Sequence, residues 1–156
     1  MKPKAYVETT VISYLAASPS RDIVVAAHQQ LTHEWWARRD RFELVVSQAV
    51  VDEVSRGDAA VAARRLAFLA QIPVLDLGDT VNEFAPTLLR SHAVPSKANL
   101  DAVHIAVAAV NRVSYLVTWN CTHIANAAVR GKIEEACRSA GLPTPTICTP
   151  EELMEP

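Results

Sequence analysis

Asp101-Ala-Val-His-Ile-Ala-Val-Ala108, followed after a short gap by Tyr115-Leu-Val-Thr-Trp-Asn-Cys-Thr-His123, is the stretch that decides the fold. Its first half reads as a buried helix with one carboxylate near the start, and its second as a core strand running out into a polar turn. An uncompensated charge on an apolar helix is costly to bury, so Asp101 must be hydrogen-bonded, paired or metal-bound.

The helix-then-strand alternation continues on both sides. Lys4-Ala-Tyr-Val7 is β-prone, Glu8-Thr9-Thr10 ends it, and the apolar Val11-Ile-Ser-Tyr-Leu15 begins a helix, which places Glu8 at the carboxyl end of the first strand. Ser18-Pro-Ser20 breaks that helix, and Ser20 is placed to cap a long second one over residues 20–39, where Ile23, Ala27, Leu31 and Trp35 recur along one face. Residues 42–46 form a second strand, and Ser47 is placed to cap the helix carrying Val50, Asp52, Glu53 and Val54. Residues 59–70 are amphipathic with Arg64 and Arg65 on the wet side, and residues 71–76 form a third strand that Pro73 marks as an edge or a strand start.

Residues 79–91 are helical, with a kink or early end predicted at Pro86. Pro95-Ser96 opens the helix of residues 97–110, which puts Asp101 several positions in, beyond the cap. Residues 115–118 are the fourth strand, residues 125–140 a helix stopped by Gly141, and residues 146–148 a fifth strand. Thr149-Pro-Glu-Glu152 is a capping sequence that opens a short terminal helix.

Strands separated by helices imply an α/β fold: a mostly parallel central sheet of four to five strands with helices on both faces. A length of 156 residues, 50% of them hydrophobic, predicts one domain over residues 1–156. The longest apolar runs fall far short of the ~20 residues that span a bilayer, and the N-terminus lacks a signal-peptide core; the expectation is a soluble cytoplasmic protein. Cys121, Cys137 and Cys148 are too irregularly spaced for a disulfide framework or a zinc site. A net charge of −2 argues against a protein that coats nucleic acid, while leaving room for an enzyme that touches a few phosphates.

In parallel α/β sheets ligands sit beyond the carboxyl ends of the strands. Glu8 follows the first strand, Glu53 lies on the helix after the second, Asp101 begins the helix before the fourth, and Asn120 follows the fourth. These converge if the first and fourth strands are neighbours. Three carboxylates and an amide oxygen are hard ligands suited to Mg²⁺ or Mn²⁺, and such a cation supports phosphodiester hydrolysis. Each residue also has a structural reading. Glu8 is equally a turn residue or helix cap, Asp52 or Glu53 a solvated face, and Asp101 a capping or buried hydrogen-bonded group.

With these pieces in this order, Tyr6-Val-Glu-Thr-Thr-Val-Ile-Ser-Tyr-Leu15, Val45-Val-Ser-Gln-Ala-Val-Val-Asp-Glu-Val54, Asp101-Ala-Val-His-Ile-Ala106 and Tyr115-Leu-Val-Thr-Trp-Asn120, the chain resembles the PIN-domain ribonucleases, in particular the VapC-type toxins of type II toxin–antitoxin systems. The resemblance covers nearly the whole chain, including Thr149-Pro-Glu-Glu-Leu153. It implies a PIN-like domain, and by position it puts the metal-binding and catalytic roles on Glu8, Glu53, Asp101 and Asn120, choosing Glu53 over Asp52. It further implies an Mg²⁺- or Mn²⁺-dependent endoribonuclease that cleaves RNA by a metal-activated water, leaving a 5′-phosphate and a 3′-hydroxyl. Asp101 and Glu8 would touch the ion, with Glu53 and Asn120 holding its water or a second ion. A small antitoxin and a homodimer are the implied partners. Two positions depart from the pattern: Glu8 stands where Asp is usual, and Asn120 where a carboxylate is common.

Several residues have supporting readings. Thr10 and Thr118 either buttress the site or satisfy local backbone. Lys97, read as one helical turn before Asp101, either meets a substrate phosphate or forms an i,i+4 pair. His104, three residues after Asp101, reads as a packed, hydrogen-bonded core residue rather than a general base. His123 either contacts RNA, orients a carboxylate or caps the last helix. Trp35-Trp36 with Arg38, Arg39 and Arg41 offers stacking and charge to single-stranded RNA, although one Trp must face the core. The exposed apolar side of the second helix is the candidate surface for a second copy or an antitoxin.

Two alternatives to the nuclease remain. One is a PIN-like module with a weakened site that acts through RNA or protein binding. The other, an acid-site phosphohydrolase, is disfavoured because the turn after the first strand is Glu8-Thr9-Thr10 and lacks the Asp-x-Asp nucleophile of one such superfamily.

Overall fold

The computed structural model describes residues 1–155. Five strands, β1 (Lys4–Val7), β2 (Glu43–Ser47), β3 (Val74–Leu75), β4 (Tyr115–Val117) and β5 (Thr146–Cys148), form an all-parallel sheet in the order β3-β2-β1-β4-β5. Seven helices connect and cover it: α1 (Thr9–Ala16), α2 (Ile23–Ala37), α3 (Gln48–Val54), α4 (Ala59–Phe68), α5 (Asp79–Arg90), α6 (Asn99–Val110) and α7 (Ala127–Ser139). Ala5, Tyr6 and Val7 of the central strand are fully buried, as expected of a parallel strand covered on both faces.

The strand order reverses at β1. Tyr6 pairs with Val45 of β2 on one side and Leu116 of β4 on the other, so the three strands end at a common rim. The predicted adjacency of the first and fourth strands is therefore met, and the crevice between them lies where parallel sheets bind ligands.

Local chemistry explains where elements differ from the sequence reading. Asp22, not Ser20, caps α2, its carboxylate accepting from the Val24 and Val25 amides, while Ser20 Oγ accepts from the Asp22 amide. The inward face of α2 is Gln29, Thr32 and Trp35, and Ile23 is 84% exposed, so the predicted Ile23–Ala27–Leu31 stripe faces mostly outward. Ser47 stands at the N-cap of α3 without a capping hydrogen bond, because its hydroxyl is taken by Tyr6. Pro86 sits inside α5 without ending it. Thr149 and Glu152 make the reciprocal capping bonds, but the segment winds only one 3-10 turn, Glu151–Leu153.

The correction that matters most concerns α6, which starts at Asn99 rather than at residue 97. Asp101 is thus in the first helical turn, where the helix dipole favours a carboxylate. Lys97 is an exposed residue in the preceding turn, so the premise of an i,i+4 pair with Asp101 fails.

Candidate functional site at the carboxyl rim

Glu8 leaves β1 and immediately caps α1. Its Oε2 accepts from the Thr10 amide at 3.0 Å, and its Oε1 accepts from the Thr10 and Thr118 hydroxyls, each at 2.6 Å. With all three donors in place the residue is only 3% exposed. The longer side chain of Glu thus folds back on its own helix and ties it to the end of β4.

Glu53 enters from α3. Asp52, its neighbour, accepts from Gln48 on the exposed face, as the roughly 100° step between adjacent helical residues requires. Glu53 Oε1 accepts from the Thr9 hydroxyl at 2.9 Å and lies 2.5 Å from His104 Nε2. Burial pushes this carboxyl up, but the His104 hydrogen bond and charge, with Thr9 and Arg56, outweigh it and hold it below its ordinary value.

His104 on α6 is 1% exposed, and its other nitrogen, Nδ1, is 2.7 Å from the Tyr6 hydroxyl, which in turn lies 2.7 Å from Ser47 Oγ. Burial disfavours its protonation, yet the hydrogen bond to Glu53 and the charges of Glu8, Glu53 and Asp101 together raise its pKa. Of the three carboxylates, Glu53 is the one that touches the imidazole. Burial also raises Tyr6 far above the ordinary phenol range, which keeps it a neutral hydroxyl.

Asp101 is held from the β4 turn. Its Oδ1 accepts from Asn120 Nδ2 at 3.0 Å, and its Oδ2 lies 2.9 Å from His123 Nδ1. Asn120 Oδ1 accepts from the Thr122 and His123 amides, which fixes which end of the amide faces Asp101. Thr118 completes the turn by accepting from the Asn120 amide while donating to Glu8. Thr10 does likewise, accepting from the Trp119 amide. His123 does not cap α7; Asn126 does.

All four residues picked from the sequence for catalysis or metal binding therefore lie on one rim, with Thr10, Thr118 and His123 bonded to them. Lys97 makes no ion pair among the described residues. The Trp-Arg cluster is elsewhere: it precedes β2, at the end of the sheet opposite the carboxylates. There Trp35 is fully buried, Arg39 lies over the Trp36 ring and Arg41 is bonded to Leu153 and Glu155. Their role in the sequence reading, stacking and charge toward RNA, is not one they can play at this rim.

Among the described residues, no group of three or more His, Cys, Asp or Glu side chains is arranged to hold a cation unaided. Mg²⁺ commonly takes only one or two carboxylates together with water and substrate phosphate. Two residues fit that requirement. Glu53 Oε2 accepts no hydrogen bond among the described residues, and the Glu53 and Asp101 side chains keep 22% and 19% of their surface exposed. Glu8, by contrast, is 3% exposed with three donors on its two oxygens, and the Asn120 oxygen accepts two amides.

Tyr6, Ser47 and Thr9 belong to this network and were not picked from the sequence. The usable signal was Tyr6: a hydroxyl on a strand otherwise apolar and central must find a buried partner.

The fold is VapC-like. The Mycobacterium tuberculosis toxin VapC20, which cleaves the sarcin–ricin loop, superposes with a TM-score of 0.61 at 17% identity, over 76% of this chain and 92% of that one. Rickettsia felis VapBC2, solved bound to a DNA fragment from its promoter, gives 0.57 at 15% identity, over 94% and 98% of the two chains. No family model matches the sequence, and no curated protein matches it. No helix among the described residues is long and apolar enough to cross a membrane.

Proposed function

We propose that this chain is a metal-dependent endoribonuclease of the VapC kind, acting as one PIN-like domain and restrained by a small antitoxin. The observation that carries the reading is the meeting of Glu8, Glu53 and Asp101 at the rim where β1, β2 and β4 end: Thr118 bonds Glu8 and the Asn120 amide, Asn120 bonds Asp101, and Thr9, next to Glu8, bonds Glu53. Solved neighbours that are an RNA-cleaving toxin and a toxin–antitoxin complex support it, through the shared fold.

Glu53 and Asp101 are the residues that would hold Mg²⁺ or Mn²⁺. When bound, the ion supplies polarisation of the scissile phosphate and a water of lowered pKa. The remaining work belongs to the chain. Asn120 and His123 fix both oxygens of Asp101, and Thr9 and His104 fix one oxygen of Glu53 and leave the other free. Glu8 locks α1 to the β4 turn through Thr10 and Thr118, and so positions Asn120. Glu8, 3% exposed, and the Asn120 oxygen, which holds two amides, serve the architecture of the rim in this arrangement.

That burial of Glu8 and the engagement of the Asn120 oxygen favour a second reading, a PIN-like module that binds RNA or protein without cleaving. Cleavage of structured RNA in Mn²⁺ by wild type and Asp101→Asn separates the two: equal rates with retained RNA binding select the module. For partners, Ile23 and Val24 at the start of α2 are 84% and 59% exposed, which supports this helix as the surface for a second copy or the antitoxin.

A further inference from the structure

We infer that His104, anchored by Tyr6 and Ser47, is a positioning residue that aims the Glu53 carboxylate. For its consequence in catalysis this rests on the nuclease reading; for its geometry it does not.

Four side chains form one line from the core to the rim: Ser47 Oγ to Tyr6 Oη at 2.7 Å, Tyr6 Oη to His104 Nδ1 at 2.7 Å, and His104 Nε2 to Glu53 Oε1 at 2.5 Å. Ser47, Tyr6 and His104 are at most 1% exposed, whereas the Glu53 side chain keeps 22% of its surface. The asymmetry is informative. Glu53 needs no buried partner for solvation, since water reaches it. The imidazole and the phenol, by contrast, were taken out of water, and an apolar pair of similar volume is often neutral or stabilising in such a place.

What the line provides is direction. With both nitrogens engaged, the His104 ring cannot rotate freely, and its bond to Oε1, with that of Thr9 on the same oxygen, leaves Oε2 as the only free acceptor of Glu53. The Tyr6 hydroxyl holds one proton between two neighbours. It donates to Nδ1 of the neutral, Nε2-protonated ring while accepting from Ser47, or accepts from Nδ1–H of the imidazolium while donating to Ser47, so Nε2–H donates to Glu53 in both charge states. Partners behind a metal-binding carboxylate act in this way elsewhere, and their loss costs ~10–100-fold in affinity or activity.

The test compares wild type with His104→Leu, His104→Gln and Tyr6→Phe. Three measurements are made: crystal structures of the metal-free proteins, Mn²⁺ binding by calorimetry, and kcat and KM on a structured RNA. In wild type Glu53 should occupy one rotamer against His104 and Thr9; in His104→Leu it should turn to solvent, with Mn²⁺ affinity and kcat each down ~10–100-fold and KM little changed. His104→Gln should recover part of both, and Tyr6→Phe should fall between. An unmoved Glu53 in folded His104→Leu, or unchanged Mn²⁺ affinity and kcat there, overturns the inference. If His104→Leu does not fold, Tyr6→Phe decides it by the same readouts. Should wild type neither bind Mn²⁺ nor cleave, the nuclease reading fails, and the Glu53 rotamer alone decides the positioning role.

Discussion

Thr118, at the end of β4, donates its hydroxyl to Glu8 Oε1 at 2.6 Å, joining the fourth strand to the residue that caps α1. Helix start, central strand and β4 turn are thereby pinned at one carboxylate. Glu8→Ala removes the cap, worth ~1 kcal/mol, and strips partners from buried hydroxyls, worth a further ~1–3 kcal/mol. Urea denaturation should show a loss of at least ~2 kcal/mol for Glu8→Ala. A loss near zero would mean that Glu8 is not the keystone described.

The Glu53–His104 pair makes stability pH-dependent with a definite sign. His104 has a raised pKa, so its contribution is fully present below its ordinary value of 6.5 and is lost as pH rises through the folded value above that. Glu53 has a lowered pKa, so its contribution is present above 4.5 and is lost as pH falls through the folded value below it. The stability difference between wild type and His104→Gln should therefore be largest between pH 4.5 and 6.5 and should shrink on either side, as followed by thermal unfolding across pH. A difference that is flat with pH contradicts the ion pair.

Arg38 and Arg39 lie at the far end of the sheet from the carboxylates. Replacing both with Ala should leave kcat/KM on RNA within about twofold, as is usual for surface changes remote from a site. A much larger drop would place the substrate across that end.

Ile23 and Val24, 84% and 59% exposed at the start of α2, offer adjacent apolar surface that a second copy would cover. Light scattering should find wild type as a dimer, and Ile23→Asp with Val24→Asp should shift it to monomer with its unfolding temperature retained. A wild type already monomeric at micromolar concentration removes this surface from the dimer account.

Much of this was legible in the sequence because period and position carry it. β1 and β5 fall where the apolar runs of residues 4–7 and 146–148 place them, and Gly141, at φ +69°, ends the α7 segment in the left-handed conformation its type permits. The rim set of Glu8, Glu53, Asp101 and Asn120 was visible because strand ends are identifiable. What sequence could not give was which partner each polar atom takes. Ser47 has the look of a helix cap, but its hydroxyl serves Tyr6, and Glu8 looks like a ligand while its oxygens serve Thr10 and Thr118. Such choices depend on distances across 41 and 110 positions of chain, which no local pattern encodes. The α6 start was misplaced because Pro95-Ser96 resembles a helix opening, whereas the chain makes a further turn before Asn99.

Hydrolysis of RNA by the rim carboxylates with a divalent ion is the activity proposed for this chain. The most direct measurement is single-turnover cleavage of a structured RNA in Mn²⁺ by wild type, Asp101→Asn and Glu53→Gln, each confirmed folded. The account predicts that wild type cleaves and that each variant loses about 100-fold or more, the scale of removing a group that acts on the reacting charge. Wild type cleaving no faster than Asp101→Asn would contradict it.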